Sequence, residues 1–225
     1  MEPAILETQA VSKVYGEGAT RLVALDGASL ALHPGQVLLI MGPSGSGKTT
    51  LLSVMGCILR PTTGRVIVAG KVATDLSEDA LPDIRRHYFG FVFQAFNLFS
   101  SLTALENVEV VLRMKGVAKN TIAAQSMDLL RHVGLAHRSH AYPRDLSGGE
   151  KQRTALARAL AGEPAIVLAD EPTANLDSKT GHEVLALLRN LAEETGKAVA
   201  IVSHDPKAKD VADRVITMED GRLLT

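Results

Sequence analysis

A glycine-rich stretch is the first part of the chain whose residue types predict chemistry. It fits the pattern G-x-x-x-x-G-K-[ST] of a loop that binds phosphates. Glycines let main-chain N–H groups approach a dense anion, and a helix N-terminus adds partial positive charge. We expect Lys48 to reach the β- and γ-phosphates and the Thr49 hydroxyl to bind Mg²⁺. The sequence thus predicts a nucleoside triphosphate site formed by Gly42, Pro43, Ser44, Gly45, Ser46, Gly47, Lys48, Thr49 and Thr50.

The segments on either side of this loop have the patterns needed to position it. The apolar run from Val37 to Met41 shows no alternation, as expected of a buried parallel strand. The residues from Lys48 to Leu52 are typical of a helix start. A glycine-rich turn without function is the alternative interpretation, and the strand and helix around the loop argue against it.

Two adjacent acids, Asp170 and Glu171, end another apolar run, Ala165 to Ala169. Ligands of α/β sheets bind at the carboxyl ends of strands. Asp170 is therefore predicted to hold the Mg²⁺ shell, and Glu171 to act as the general base toward the attacking water. Alone, the two acids would equally fit a solvated turn after a core strand. The phosphate-binding loop upstream favours the catalytic interpretation.

Gln94 and His204 also follow apolar strands, predicted at Phe89 to Phe93 and Ala198 to Val202. From this position His204 is expected to contact the γ-phosphate. Gln94 is expected to bind either Mg²⁺ or the attacking water. A lone histidine is usually an ordinary surface or core residue, and residue types alone leave that alternative open.

A second glycine pair occurs in Leu146-Ser147-Gly148-Gly149-Glu150, before a helix predicted from Lys151 to Ala161. Ser147 suits the N-cap position of that helix. A cap explains the serine but not two glycines, which weaken a helix. Exposed N–H groups that bind a second phosphate would explain them. Because the chain has one phosphate-binding loop, we expect this second site to serve ATP held by another copy of the chain.

The remaining pattern predicts an α/β architecture interrupted by helices. Strands are predicted at Ala4 to Val14 and Val23 to Leu32, and a hairpin around Asp220-Gly221. A capping box at Thr103-Ala104-Leu105-Glu106 begins a helical region that extends to about Gly162.

We therefore expect a single domain spanning 1–225. Its catalytic core would comprise 1–94 and 163–225, and a helical subdomain would occupy about 95–162.

Composition limits the classes of function. With 225 residues, 46% of them hydrophobic, the chain can build a sizeable core. A net charge of −1 argues against a large basic surface for nucleic acid. No apolar run approaches the ~18 residues that span a membrane. The single cysteine, Cys57, is predicted to be a core residue on the helix after the phosphate-binding loop, and it fits a reducing compartment.

These motifs, in this order, resemble those of the ATP-binding cassette (ABC) ATPases over essentially the whole chain. The resemblance implies a P-loop NTPase core, a mixed sheet with helices on both faces, together with an antiparallel β subdomain and a helical subdomain. It implies that Tyr15 stacks on adenine and that Gln94 joins the active site to the helical subdomain. It also implies that Asp177 is the D-loop aspartate and His204 the switch histidine.

The resemblance gives the second glycine motif a role as well. Ser147, Gly148 and Gly149 would contact the γ-phosphate of ATP held by the partner copy, with Leu146 and Glu150 completing the signature. No motif is degenerate, so an active ATPase is implied.

Further segments resemble one branch of the family. Phe93-Gln94-Ala95-Phe96-Asn97-Leu98 and Leu102 to Val108 are similar to the lipoprotein-release and macrolide-export (MacB-like) branch, and Met55 to Leu59 to its DevA-like exporter relatives. This implies a head-to-tail homodimer around two Mg-ATP that drives a separate integral membrane permease. The implied location is peripheral, at the cytoplasmic face of the inner membrane.

A periplasmic adaptor and an outer-membrane channel are further partners of such systems. Two alternatives remain open: a nucleotide-gated scaffold of a cell-envelope complex, and a soluble ABC ATPase acting on nucleic acid.

Three apolar residues after Gln94 allow two interpretations. Phe96, Leu98 and Phe99 lie in a predicted loop, where exposed aromatic side chains are costly. They would either pack together as a local cluster or form the floor of a groove that receives a permease helix.

Overall fold

The computed structural model describes residues 3–224, which form two sheets surrounded by helices. In chain order the strands are β1 (Leu6–Tyr15), β2 (Leu22–Leu32), β3 (Val37–Met41), β4 (Thr63–Val68), β5 (Lys71–Val72), β6 (Phe89–Val92), β7 (Ile166–Asp170), β8 (Ala198–Val202), β9 (Arg214–Glu219) and β10 (Arg222–Leu224).

One sheet is antiparallel, with the strand order β2-β1-β4-β5. The other is mixed, with the order β10-β9-β3-β8-β7-β6, and only β10 is antiparallel to its neighbour. This arrangement confirms the predicted fold class.

The α-helices cover the two faces of the mixed sheet. In chain order they are α1 (Lys48–Met55), α2 (Leu81–Tyr88), α3 (Ala104–Met114), α4 (Lys119–His132), α5 (Gly148–Leu160) and α6 (Ser178–Thr195). Short 3₁₀ helices lie at Gly18–Thr20, Ala73–Asp75, Glu78–Ala80, Ala136–Arg138, Pro143–Asp145 and Pro206–Val211. Among the described residues, no helix combines the length and apolar character needed to cross a membrane.

The central strands of the mixed sheet are buried on both faces. In β3, Leu38 and Ile40 pack into the core shared with the antiparallel sheet and α1. Val37 and Leu39 point the other way, into the core formed with α3 to α6. Two buried faces explain why the run Val37–Met41 shows no alternation of apolar and polar residues.

Most predicted elements are confirmed within one or two residues. The hairpin pairs β9 with β10 antiparallel, with Arg222 opposite Glu219. The capping box at the start of α3 is also present, because Thr103 and Glu106 each bond the other's backbone. Three helices, α3 to α5, follow one another between β6 and β7. The subdomain limits of 1–94, 163–225 and about 95–162 stay a prediction.

Two helix limits differ from the prediction. Helix α1 ends at Met55, because the N–H groups of Ile58 and Leu59 both donate to the Ser53 carbonyl and turn the chain out of the helix. Cys57 therefore lies beyond the helix, with a φ of 54°, although it is buried as predicted. Burial raises the pKa of its thiol to about 11. Helix α5 begins at Gly148 instead of Lys151, so the glycines form its first turn.

A buried asparagine fixes the loop between β6 and α3. Asn107 is fully buried and accepts a hydrogen bond from Phe99 N at 2.8 Å. Its amide donates to the carbonyl oxygens of Phe99, Leu102 and Thr103 at 2.9–3.2 Å. One side chain thus satisfies backbone groups that have left the sheet, where an unpaired group would be costly.

Asn107→Ala is expected to lower the free energy of unfolding by about 2–3 kcal/mol, because it removes a fully buried side chain and leaves Phe99 N and Leu102 O without their partner. Asn190→Ala, at an exposed position on α6, is the matched control and should change stability by less than about 0.5 kcal/mol. Urea unfolding followed by circular dichroism measures both. Equal stability of the two variants would show that Asn107 does not fix this loop.

Candidate active site

The candidate site lies where three parallel strands end. Past the end of β7, Glu171 N donates to Val202 O at 2.9 Å, and past the end of β8, Ser203 N donates to Ile40 O at 3.1 Å. These bonds extend the ladder beyond the strands. They bring Glu171 and Ser203 beside the loop that follows β3.

Residues predicted from separate parts of the sequence line one cleft of about 680 Å³. Lys48 and Thr49 come from the phosphate-binding loop, Gln94 follows β6, and Glu171 and His204 follow β7 and β8. The side chain of His204 is 67% exposed and that of Glu171 12%. The remaining lining residues are Tyr15, Leu22, Val23, Ala24, Pro43, Ser44, Gly45, Gly47 and Thr50.

The loop itself is organised around a buried lysine. Lys48 Nζ donates to Gly42 O at 2.9 Å and to Pro43 O at 2.8 Å, so the ammonium is held inside the loop. Ser46 Oγ is buried without a hydrogen-bond partner. A cationic group beside an unsatisfied hydroxyl, at the N-terminus of α1, fits a phosphate-bearing ligand.

The loop glycines are required for two different reasons. A Cβ on Gly42 would lie 2.1 Å from Met218 O, and one on Gly47 would lie 2.3 Å from Ala24 O. Neighbouring strands therefore exclude side chains at both positions. At Gly45, whose φ is 82°, nothing lies within 4 Å of the Cβ position. Of these three glycines, Gly45 alone leaves open space for a ligand to approach the main chain.

Thr49 and Asp170 are the pair that could hold a divalent cation. Thr49 Oγ1 donates to Asp170 Oδ1 at 3.1 Å. Burial raises the pKa of Asp170, and the charge of Glu171 raises it further, so a cation beside Asp170 would favour its ionised form. Between residues 3 and 224, no group of three or more histidine, cysteine or acidic residues is arranged to hold a metal ion by itself. Two protein oxygens with other ligands from phosphate and water fit Mg²⁺.

The predicted general base is held in a fixed orientation. Glu171 Oε1 lies 2.9 Å from His204 Nδ1. Its Oε2 accepts hydrogen bonds at 3.3 Å from Ser203 Oγ and from His204 N. The backbone of Glu171 has a φ of 47°, a conformation that costs free energy for a non-glycine residue. The carboxylate therefore faces the cleft with two neighbours fixing it.

Sequence reasoning missed Ser203, which is fully buried at the end of β8. Its hydroxyl donates to Glu171 and accepts from Asp205 N at 3.0 Å. The available signal was a polar residue closing the apolar run Ala198–Val202, directly before His204.

The second glycine motif caps α5 as predicted. Ser147 Oγ accepts from Glu150 N at 3.3 Å, and Glu150 Oε2 accepts from Ser147 N at 2.8 Å. This backbone bond is the main reason that the pKa of Glu150 is lowered, and Arg138 lies 3.1 Å away on the other carboxylate oxygen. Leu146 is buried in the helical core. Glu150 thus has an intramolecular role in the cap.

Packing against α6 explains one of the two glycines. A Cβ on Gly149 would lie 2.2 Å from Thr180 Cγ2, and one on Gly148 would lie 3.3 Å from Asn175 O. Asp177 caps α6 by accepting from Lys179 N and Thr180 N at 3.0 Å. The hydrogen bonds from Thr180 lower the pKa of Asp177. The N-termini of α5 and α6 therefore lie side by side.

The predicted residues form two groups within the chain. None of Leu146, Ser147, Gly148, Gly149, Glu150 and Asp177 lines the cleft that contains Lys48. One contact connects the loops, since Asn175 Nδ2 donates to Gln94 O at 2.9 Å. Tyr15 lies at the cleft, 41% exposed.

A second surface feature lies beyond Gln94. Phe99 is 53% exposed, whereas Phe96 and Leu98 are half-buried. Phe99, Phe91 and Met114 line a groove of about 270 Å³ between β6, α3 and α5. The interpretation as a groove floor thus applies to Phe99, which lines the groove. The interpretation as a local packing cluster applies to Phe96 and Leu98, which are less exposed.

A buried arginine holds the floor of this groove. Arg158, near the end of α5, lines the groove and donates to the carbonyl oxygens of Phe96 and Asn97. Both of these residues have positive φ values, 61° and 49°. Burial lowers the pKa of Arg158. The segment after Gln94 is therefore bonded directly to the helix that Ser147 begins.

Comparison with known proteins gives a consistent result. A family model described as "ABC transporter" matches residues 25–174. The chain is 43% identical over 223 residues to the lipoprotein-releasing system ATP-binding protein LolD of Shewanella oneidensis, covering 99% of this chain and 97% of that protein. It is 41% identical over its whole length to the macrolide export ATP-binding/permease protein MacB of Hyphomonas neptunium, of which it covers 35%.

The fold is also similar to a solved structure, the dimeric post-hydrolysis state of the ATP-binding cassette MJ0796 bound to ADP and Pi. The TM-score is 0.91 with 42% identity, covering 98% of this chain and 97% of that one.

Gly149→Ala is expected to lower the free energy of unfolding by about 1–3 kcal/mol, because the new methyl group clashes with Thr180. Thr180→Ser in addition removes Cγ2, keeps the hydroxyl that donates to Asp177 at 2.6 Å, and should restore most of the stability. Urea unfolding measures the cycle.

Gly181→Ala is the matched control, because its Cβ would make only ordinary contacts at 3.5 Å with Thr173. It should keep or raise stability through helix propensity. If Gly149→Ala is as stable as Gly181→Ala, the packing explanation for Gly149 is wrong.

Proposed function

Since the chain belongs to the ABC transporter family and is an ATP-binding, ATP-hydrolysing cassette, we propose that it is the energising subunit of a membrane exporter. The carboxylate of Glu171 carries the hydrolytic part of this proposal, because it lies 2.9 Å from His204 in the same cleft as Lys48. This arrangement supports hydrolysis of the phosphate bound there and not storage of the nucleotide.

ATP is proposed to bind with its phosphates on the loop Gly42–Thr50 and its adenine against Tyr15. Thr49, Asp170 and Gln94 would hold Mg²⁺, which when bound offsets negative charge on the β- and γ-phosphates. The exposed face of Tyr15 and the unsatisfied Ser46 hydroxyl support this assignment.

Hydrolysis uses groups that the fold already orients. Glu171 accepts a proton as the water oxygen attacks the γ-phosphorus. The bond between that phosphorus and the β–γ bridging oxygen breaks, giving ADP and inorganic phosphate. Lys48 and His204 stabilise the developing negative charge, while Ser203 and His204 keep the carboxylate aimed at the water.

The active form is proposed to be a head-to-tail dimer with two ATP molecules between the copies. Ser147, Gly148 and Gly149 of one copy would contact the γ-phosphate bound to the other, and Asp177 would lie near the same interface. The supporting observation is that these residues do not line the cleft of their own chain. The dimeric state of the MJ0796 structure is consistent with this arrangement.

The groove beside Phe99 is proposed to receive a cytoplasmic segment of an integral membrane permease. Its apolar lining and the half-exposed Phe99 suit an amphipathic helix. Gln94 would couple the groove to the cleft, through the segment that Arg158 holds. In MacB of Hyphomonas neptunium the matching region covers only about a third of an ATP-binding/permease protein, which supports a permease partner for this chain.

The proposed location is the cytoplasmic face of the inner membrane, held there by the permease. The named relatives act in macrolide export and lipoprotein release, so the cargo is proposed to be exported or extracted from the membrane. A periplasmic adaptor and an outer-membrane channel would complete such a system.

Glu171→Gln is expected to reduce ATP turnover by about 10²–10⁴-fold, the contribution of a general base. It should still bind ATP, because the amide keeps the size of the side chain. It should also accumulate as a dimer, because the ATP between the two copies is no longer hydrolysed. Phosphate release and light scattering with Mg-ATP measure the two effects. Glu194→Gln, exposed on α6, is the control that should change neither. A Glu171→Gln protein that hydrolyses ATP at the unaltered rate would contradict the assignment.

Phe99→Ser is expected to reduce capture of the permease from detergent-solubilised native membranes by at least about tenfold, because an apolar anchor is lost. Val215→Ser removes another exposed apolar side chain, 43% exposed on β9, and should leave capture unchanged. Quantitative mass spectrometry of the co-purified proteins distinguishes them. Equal loss in both variants would show that the groove is not the docking site.

A further inference from the structure

The end of the cleft that is proposed to receive adenine contains one aromatic ring, that of Tyr15. This residue is the last of β1, is 41% exposed and lines the cleft. Leu22, which pairs with it across β2, lines the cleft as well and is exposed. An exposed side chain at a strand end loses conformational freedom when a ligand stacks on it. The affinity for a base therefore depends on how firmly the ring is held beforehand.

A lysine ammonium lies over this ring. Lys13 Nζ is 5.3 Å from the centroid of the Tyr15 ring, within the range of an attractive cation–π contact. The same Nζ atom donates a hydrogen bond to Arg60 O at 2.9 Å. Because this acceptor is a neutral carbonyl and not a carboxylate, the hydrogen bond positions the ammonium without neutralising its charge. The ring is thus in contact with a cation whose own position is fixed.

The carbonyl that holds Lys13 belongs to a segment bonded on two sides. The guanidinium of Arg60 donates to Thr74 O at 2.8 Å. Two residues further on, Thr62 N donates to Ser12 O at 2.7 Å, directly beside Lys13 on β1. The segment 60–62 therefore connects β1 to the 3₁₀ helix at Ala73–Asp75, and the acceptor of the lysine hydrogen bond has a set position.

The ammonium is placed to act through the ring and not on the nucleotide itself, since Tyr15 lines the cleft and Lys13 does not. We propose that Lys13 is a positioning residue for nucleotide binding, which holds the Tyr15 ring in the orientation on which adenine stacks. This inference rests on the proposed function, because it takes Tyr15 as the residue that contacts the base. With Lys13 over one face of the ring, the base stacks on the other face.

A comparison of two ligands tests this role. Mg-ADP carries the base and is not hydrolysed, whereas Mg-pyrophosphate offers phosphates alone. Lys13→Met keeps a stem of similar length and removes the charge of a half-buried side chain. It should weaken the binding of Mg-ADP by about three- to tenfold, as expected for one partly desolvated cation–π contact. The affinity for Mg-pyrophosphate should stay unchanged, and isothermal titration calorimetry measures both.

Further variants separate the charge of Lys13 from its packing. Lys13→Arg keeps a cationic donor that stacks on aromatic rings, so it should recover most of the affinity for ADP. Tyr15→Leu should itself weaken ADP binding by at least about tenfold, because stacking on the base is lost. In that background Lys13→Met should cause no further loss. Lys119→Met, at an exposed lysine on α4, is the control and should bind both ligands with unaltered affinity.

The outcomes distinguish this inference from the function beneath it. Equal losses of affinity for ADP and pyrophosphate in Lys13→Met would indicate a distorted phosphate site and overturn the inference alone. Unaltered binding of ADP, an undiminished loss in the Tyr15→Leu background, or no recovery in Lys13→Arg would overturn it as well. If Tyr15→Leu binds ADP as tightly as the unaltered chain, the proposed adenine site is wrong and the inference fails with it.

Discussion

Two backbone hydrogen bonds that lie just past the strand ends govern the rest of the structure. Glu171 N to Val202 O and Ser203 N to Ile40 O prolong the parallel ladder of β3, β8 and β7 by one step. Without them the phosphate-binding loop, the Glu171 carboxylate and His204 would lie on independent loops. With them, these groups stay one strand spacing apart. The sheet therefore orients them toward one another at little extra entropic cost.

The side-by-side helix starts of α5 and α6 impose a second constraint. Ser147 caps one helix and Asp177 the other, and Gly149 leaves just enough room for Thr180 between them. Under the proposed function, Ser147 and Gly149 also face ATP bound to a second copy. The packing against Thr180 requires a small residue at Gly149 whether or not the proposed contact with a partner's phosphate is made.

The sequence predicted what depends on local pattern. The polar ends of β7 and β8 follow from apolar runs that stop at polar residues, and the capping box at Thr103 and the N-cap at Ser147 follow from residue spacing. It did not predict Ser203, because its bond to Glu171 requires the left-handed turn at Glu171. Nor did it predict why Gly149 is needed, since Thr180 is distant in the chain.

Arg158 connects the C-terminal end of helix α5 to the segment after Gln94, while Ser147 caps the N-terminal end. The helix spans about 16 Å from Ser147 to Arg158 at 1.5 Å per residue, and Arg158 is bonded to the carbonyl oxygens of Phe96 and Asn97. A tilt of this helix therefore moves Ser147 and the backbone bonded to Arg158 together. Thermodynamic reciprocity then links the two proposed contacts: if an occupant of the groove raises the affinity of Ser147 for a partner's phosphate by some factor, that phosphate raises the affinity of the groove for the occupant by the same factor.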